Sequence, residues 1–154
     1  MSDRDLHARV AAAASAREVS DLSRAVLGDC GHRFVPGDLI RSARQVRVAA
    51  LLLVDRAVIA ELLAGASWED VAAAVGTDAA TAERIYLPAL ELWSEEVAEL
   101  ADAGDHGVGG LTDLDLPGTA DALDMWWRRH AEPWESAEGA SPIRTLVDRL
   151  RQAG

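Results

Sequence analysis

The chain has no lysine, and its only cysteine is Cys30, so an internal disulfide is excluded. Phenylalanine and tyrosine occur once each in 154 residues, and the aromatic area rests on five tryptophans. Five prolines and twelve glycines are too few for a collagen or a low-complexity chain. No long uncharged apolar run exists either. The most apolar stretch, 48–64, contains Asp55, Arg56 and Glu61 and follows Arg47, charges that a bilayer centre rejects. The first nine residues carry charges where a secretory signal needs an apolar core. A cytoplasmic protein without a membrane span is therefore expected. All fifteen basic residues are arginine, which, with the abundance of Ala, Gly, Asp and Val, points to the base composition of a GC-rich source rather than to function.

What is present suits one packed domain with at most a small appendage: 49% apolar and 27% charged residues in a length that can bury a real core. The net charge of -11 is unevenly placed. Residues 1–64 balance near neutrality, whereas the ten acids from Glu69 to Asp105 face only Arg84. Such a block repels phosphate over roughly 8 Å at physiological salt.

Long alternating β-branched runs are missing, while Ala, Leu, Arg and Glu fill the segments between turns. That pattern predicts an all-α protein: a helix-turn-helix core, a long central helix and a C-terminal helical appendage. Residues 1–37 should hold N-terminal helix and a loop. Ser15 and Glu18 are spaced as a capping box and would divide the first segment into two helices. The GDCGHRFVPG string of 28–37 reads as a turn with a buried Cys30 thiol. Residues 38–103 should form the core domain, with Asp38 capping a helix to about Ala64, Ser67 and Asp70 boxing a short one closed by Gly76, and Thr77 or Asp78 capping the next. Pro88 should kink or interrupt that helix. Leu87, Leu90, Trp93, Val97 and Leu100 form its apolar stripe, opposite the acids Glu91, Glu95, Glu99 and Asp102. Residues 104–118, with five glycines, read as a flexible linker. In 119–154, Thr119 should cap a helix to His130, and Ser141 with Pro142 should open the last one.

The most informative string is Ala66 to Tyr86, ASWEDVAAAVGTDAATAERIY. A short helix, a Gly turn and a second helix require Val71 and Val75 toward the core, a small Ala72 at the crossing, Gly76 at positive φ, and Ala82 and Ile85 packing back. Gly65, Ala66, Ser67, Trp68, Glu69, Val71, Ala72, Val75 and Gly76, followed by Ala82, Arg84 and Tyr86, resemble an actinobacterial group of helix-turn-helix DNA-binding proteins. In that group a long Arg- and Ala-rich helix leads into a GASW-E-(I/V)-A-x-x-(L/V)-G turn. The likeness covers about 41–93, and LPGTADALDMWWRRHAEP is more faintly similar to the Leu-Asp-x-Trp tail helix of the group. The resemblance implies duplex DNA binding by a transcription regulator whose second helix reads the major groove.

On that reading Arg84 pairs with guanine, Ala79, Ala80 and Thr81 touch thymine methyl groups, and Glu83 accepts from cytosine. Arg41, Arg44 and Arg47, beside Arg33, are the phosphate-binding candidates. Such proteins make about 6 to 10 phosphate contacts, whereas the block containing this motif is strongly acidic. The alternative is an acidic adaptor, antitoxin-like inhibitor or nucleic-acid mimic, with the same scaffold meeting a protein partner of basic surface.

Other constellations are weaker. Asp29, Cys30 and His32 would need His7, His106 or His130 to complete a zinc site of about four ligands, and the pair Cys30 and His32 lacks an oriented base. The GDHGVGG string has no Lys or Ser/Thr to cradle phosphate. Glu95, Glu96, Glu99, Asp102, Asp113 and Asp115 lack cation-loop spacing. No cofactor, metal or catalytic set is predicted, and the chain is not read as an enzyme. Trp126, Trp127, Arg128 and Arg129 combine aromatic area and charge and form a candidate partner surface, with one Trp expected in the core and the other outside. VAALLLV at 48–54 is apolar all round, so either neighbouring helices enclose it or a second subunit does; a homodimer is expected.

Overall fold

The computed structural model describes residues 3–30, 35–103, 116–131 and 141–153, with side chains outside the description at Asp3, 96–103 and 149–153. The described residues form six α-helices and no strand: α1 Asp3–Asp29, α2 Asp38–Leu63, α3 Trp68–Val75, α4 Ala79–Ala103, α5 Leu116–His130 and α6 Pro142–Ala153. None is long and apolar enough to cross a membrane.

Helix α1 is a single unbroken element. Ser15 does not cap a second helix: it is fully buried and its hydroxyl accepts from Arg56 Nη1 of α2. The same guanidinium reaches the Ala11 carbonyl at 3.4 Å, so a cation on α2 pins the middle of α1. A tertiary partner outcompetes the local box. Because α1 runs to Asp29, Gly28 is helical, and Cys30 beyond it is exposed rather than buried. His32 and Arg33 lie outside the described residues.

At the start of α2 the N-cap position belongs to Gly37, at φ 97°, and Asp38 is the first helical residue, paired with Arg41 at 2.9 Å. Its carboxylate is drawn to that arginine one turn on, so no side-chain cap forms. Helix α3 starts as its sequence specifies. Ser67 Oγ accepts from the Asp70 amide, and Asp70 Oδ2 accepts from the Ser67 amide, a complete capping box. Gly76 ends it at φ 77°, the left-handed conformation that glycine adopts without a Cβ penalty. Asp78, not Thr77, caps α4 through the Thr81 amide at 2.9 Å. Helix α4 continues through Pro88 without interruption; the exposed ring and the packing on either side allow it.

Helix α5 begins at Leu116, ahead of Thr119, because Pro117 falls in a first turn whose amides need no partner within the helix. Residues 104–115 lie outside the described residues, with Asp105, His106, Asp113 and Asp115 among them. Helix α6 opens at Pro142 behind Ser141. The cap that secures it comes from another helix: Asp124 of α5 is 1% exposed and accepts from the Ile143 and Arg144 amides, both at 2.9 Å.

Three apolar clusters hold these helices. Leu6 and Val10 of α1 meet Ala120 and Leu123 of α5 and Val147 of α6. Ala8 and Ala11 of α1 meet Ile59 and Ala60 of α2 and Trp93 of α4. Val58 of α2, Val71 and Ala72 of α3 and Ala82 of α4 form the third, with Leu62, Trp68, Ala79 and Tyr86 packed against it. Helix α1 thus links the C-terminal pair to the central helices, and α2 carries the α3–α4 unit on its C-terminal half.

Candidate nucleic-acid interface

The geometry of the α3–α4 unit follows from residue size. Val71 and Ala72 are each 4% exposed and Ala82 is fully buried, so α3 seats small and branched side chains against α2 and α4. Ala79, Ala82 and Tyr86 follow a three-to-four residue rhythm that turns this face of α4 inward. Two side chains assigned to the core by spacing are outside it. Ile85 is 51% exposed, because it lies to the side of the Ala82–Tyr86 stripe, and Val75, last in α3, is 38% exposed on the wall of a groove.

The proposed reading residues divide. Ala80, Glu83 and Arg84 are exposed on α4, and Arg84 has neither hydrogen bond nor ion pair among the described residues. Ala79 packs toward the core. Thr81 donates its hydroxyl to Asp78 Oδ2 at 2.8 Å, so its polar end belongs to the helix cap. Asp70 and Asp78 are held below the usual carboxylate range by the hydrogen bonds from Ser67 and Thr81 respectively, and both stay ionised beside the turn. Glu69 and Glu83 are also exposed there.

Arg41, Arg44 and Arg47 of α2 are exposed. Arg41 is tied to Asp38, whereas Arg44 and Arg47 have no partner among the described residues. Arg41 and Arg44 edge a groove of about 460 Å³ with Glu18, Leu22, Val48 and Leu52. At 1.5 Å per residue, these arginines lie roughly 16 to 26 Å along the helix axis from Val58, where α3 and α4 rest. The fold does not bring them beside Arg84 within that unit.

At the far end, neither tryptophan of the α5 pair is in the core; both are half-buried. Trp126 donates from Nε1 to Asp21 of α1 at 3.0 Å and its ring lies 4.5 Å from that of His130. Trp127 walls an apolar cleft of about 490 Å³ with Ala13, Ala16, Pro142 and Ile143. The polar tether to Asp21 and the tip of α6 hold both rings at the rim. Arg128 and Arg129 are exposed, with no ion pair among the described residues.

Sequence reasoning missed Asp124 and Asp55. Each is an acid set inside an apolar helical stripe, Ala-Leu-Asp-Met and Leu-Val-Asp-Arg-Ala-Val, a pattern that signals a buried acceptor or a partnered charge. No group of three or more His, Cys, Asp or Glu able to hold a metal ion exists among the described residues.

No family model, curated protein or solved structure matches the chain.

Proposed function

We propose that α3 and the first turns of α4, resting on α2, act as a helix-turn-helix that binds duplex DNA, as part of a transcription regulator. The observation that carries the proposal is Arg84. It is an exposed guanidinium with no partner among the described residues, less than two turns into a helix that follows a left-handed Gly76 turn, and a guanidinium so presented can pair bidentately with guanine. Ala80 beside it is small enough to approach a thymine methyl group, and Glu83 can accept from cytosine. Arg41 and Arg44, one paired only with a neighbouring exposed acid, supply phosphate contacts.

The experiment is selection of bound duplexes from a random pool by the full chain, followed by affinity measurement across salt. Recovery of a short shared site, with affinity falling steeply as salt rises, supports the proposal. Arg84→Ala should then weaken the selected site by about 1 to 3 kcal/mol and relax preference at one base pair. No enrichment, or salt-independent binding, overturns it. One observation favours a second reading: Glu69, Asp70, Glu83, Glu91 and Glu95 of α3 and α4, and Asp78 at the α4 cap, are all exposed. That surface suits a basic protein partner, and a Glu91→Arg, Glu95→Arg double reversal would abolish such binding while leaving DNA affinity unchanged or raised.

A further inference from the structure

Helix α2 has two unlike faces. One side, through Ile59, Ala60 and the Arg56 bridge, is committed to α1 and α4. On the other side, the C-terminal half is covered at Val58 and Leu62 by the α3–α4 unit, but among the described residues nothing covers the preceding turns. Val48, Leu51 and Val54 are 58, 57 and 40% exposed. Arg47, Val48, Leu51, Val54 and Asp55 fall at the three- and four-residue intervals that place them on one face. For this stretch either neighbouring helices or a second subunit were expected, and no helix among the described residues covers this face of it.

The order of residues on this face is self-complementary about Leu51. Val48 and Val54 lie three residues to either side, and Arg47 and Asp55 four residues to either side, displacements of about 4.5 and 6 Å along the axis. A two-fold axis through Leu51 that pairs α2 antiparallel with a copy of itself sets Leu51 against Leu51, puts each Val48 level with a Val54, and puts each Arg47 level with an Asp55. Both charges lack partners within the chain among the described residues. Asp55 is half-buried, and burial pushes its carboxyl above the usual range. Isologous interfaces have this property: one patch supplies both halves.

We infer that the face of α2 from Arg47 to Asp55 is the docking surface for a second copy of this chain, packed antiparallel about Leu51 and closed by two reciprocal Arg47–Asp55 ion pairs. The assignment stands apart from DNA binding and moves Arg47 from the phosphate-contacting set to the interface. The apolar groove of about 350 Å³ between α2 and α3, walled by Val54, Ala57 and Val75, borders the patch and continues its apolar surface.

The test is the solution mass of the full chain by light scattering or sedimentation at micromolar concentration, alone and as charge-reversal variants. The wild type should weigh about twice the 16.4 kDa chain mass. Arg47→Asp and Asp55→Arg should each give folded monomers, since each sets like charges opposite one another twice. Mixing the two single variants should restore the doubled mass as a one-to-one heterodimer, and the double variant should pair with itself. A monomeric wild type overturns the inference, as do single reversals that leave the dimer intact or a mixture that stays monomeric. Should a reversal fail to fold, Leu51→Cys in a Cys30→Ser background decides. A residue on the axis forms a disulfide between chains under mild oxidation, and failure to crosslink overturns the two-fold register.

Discussion

Removing the Asp124 carboxylate tests whether the C-terminal pair of helices is secured from inside. The side chain is 1% exposed and accepts from two successive amides at the start of α6, Ile143 and Arg144, each at 2.9 Å. Pro142 ahead of them has no amide to satisfy, and the Thr145 amide already donates to the Ser141 carbonyl at 3.0 Å. Asp124→Ala therefore orphans both remaining donors where water has little access. Hydrogen bonds to charged groups contribute about 1.5 to 3 kcal/mol each, but the buried carboxylate itself bears a desolvation penalty that its removal returns. A net loss of about 2 to 4 kcal/mol is expected, a fall in melting temperature of roughly 4 to 16 °C at this chain length. Asp124→Asn keeps one acceptor and turns an amide N–H toward another, so it should lie between the two. The comparison within the same helix is Asp121→Ala, which removes only the exposed pair to Arg144 at 3.0 Å and should change stability by no more than about 1 kcal/mol. Urea unfolding followed by circular dichroism reads all three, with tryptophan fluorescence reporting the α5–α6 end. If Asp124→Ala and Asp121→Ala prove equally mild, the buried cap is not what holds α6 in place.

The Gly76 turn gives a backbone prediction. Nothing lies within 4 Å of a Cβ placed there, so Gly76→Ala should cost only the left-handed penalty of about 1 to 2 kcal/mol, and Gly76→Asn distinctly less, in the same unfolding assay. The caps give a pH prediction. Asp70 and Asp78 are held below the ordinary 3.8 by Ser67 and Thr81, so their stabilisation is fully present above 3.8 and is lost as pH falls through their lower folded values. Amide chemical shifts of Asp70 and Thr81 should move together in that acid range, and Asp78→Asn should remove the Thr81 transition. In the core, the Trp93 Nε1–H is buried with no hydrogen-bond partner among the described residues. Trp93→Phe should thus destabilise by less than about 1.5 kcal/mol, because lost area is offset by release of an unsatisfied donor, whereas Trp93→Ala should cost about 3 to 5 kcal/mol.

What the sequence disclosed depended on how local the cause was. The Ser67–Asp70 box, the Gly76 turn and the α4 cap act within four residues, so spacing stated the first two and narrowed the third to Thr77 or Asp78 before any packing was known. Ser15 had equally good local spacing and failed, because Arg56, forty-one residues away, claims its hydroxyl. Ser141 and Pro142 marked the start of α6, but the same limit hid the carboxylate that caps it, nineteen residues upstream on another helix. Periodicity placed Ala82 and Trp93 in the core, where they are, but placed Ile85 and Val75 there too, which border the stripe and are covered only if another element arrives. Among the candidate reading residues Arg84 is exposed, whereas sequence had no means of knowing that Thr81 gives its hydroxyl to Asp78.

Charge connects the two proposals. One chain offers Arg41, Arg44 and Arg84 to DNA, about three cations against a net charge of -11, too few for the ~6 to 10 phosphate contacts that give useful affinity. A two-fold pair doubles the cations and presents two turns to one duplex, and palindromic half-sites match such symmetry. About six contacts predict a slope near -5 for log affinity against log salt. The Arg47→Asp and Asp55→Arg variants then separate the causes: each alone should lose DNA affinity along with the doubled mass, and their mixture should regain both. If the mixture regains mass without DNA binding in a wild type that also binds none, the interface stands and the acidic faces of α3 and α4 become the functional surface. If instead DNA affinity survives in the monomeric variants with a slope of about -3, one chain reads its site alone, and the pairing of α2 serves another purpose.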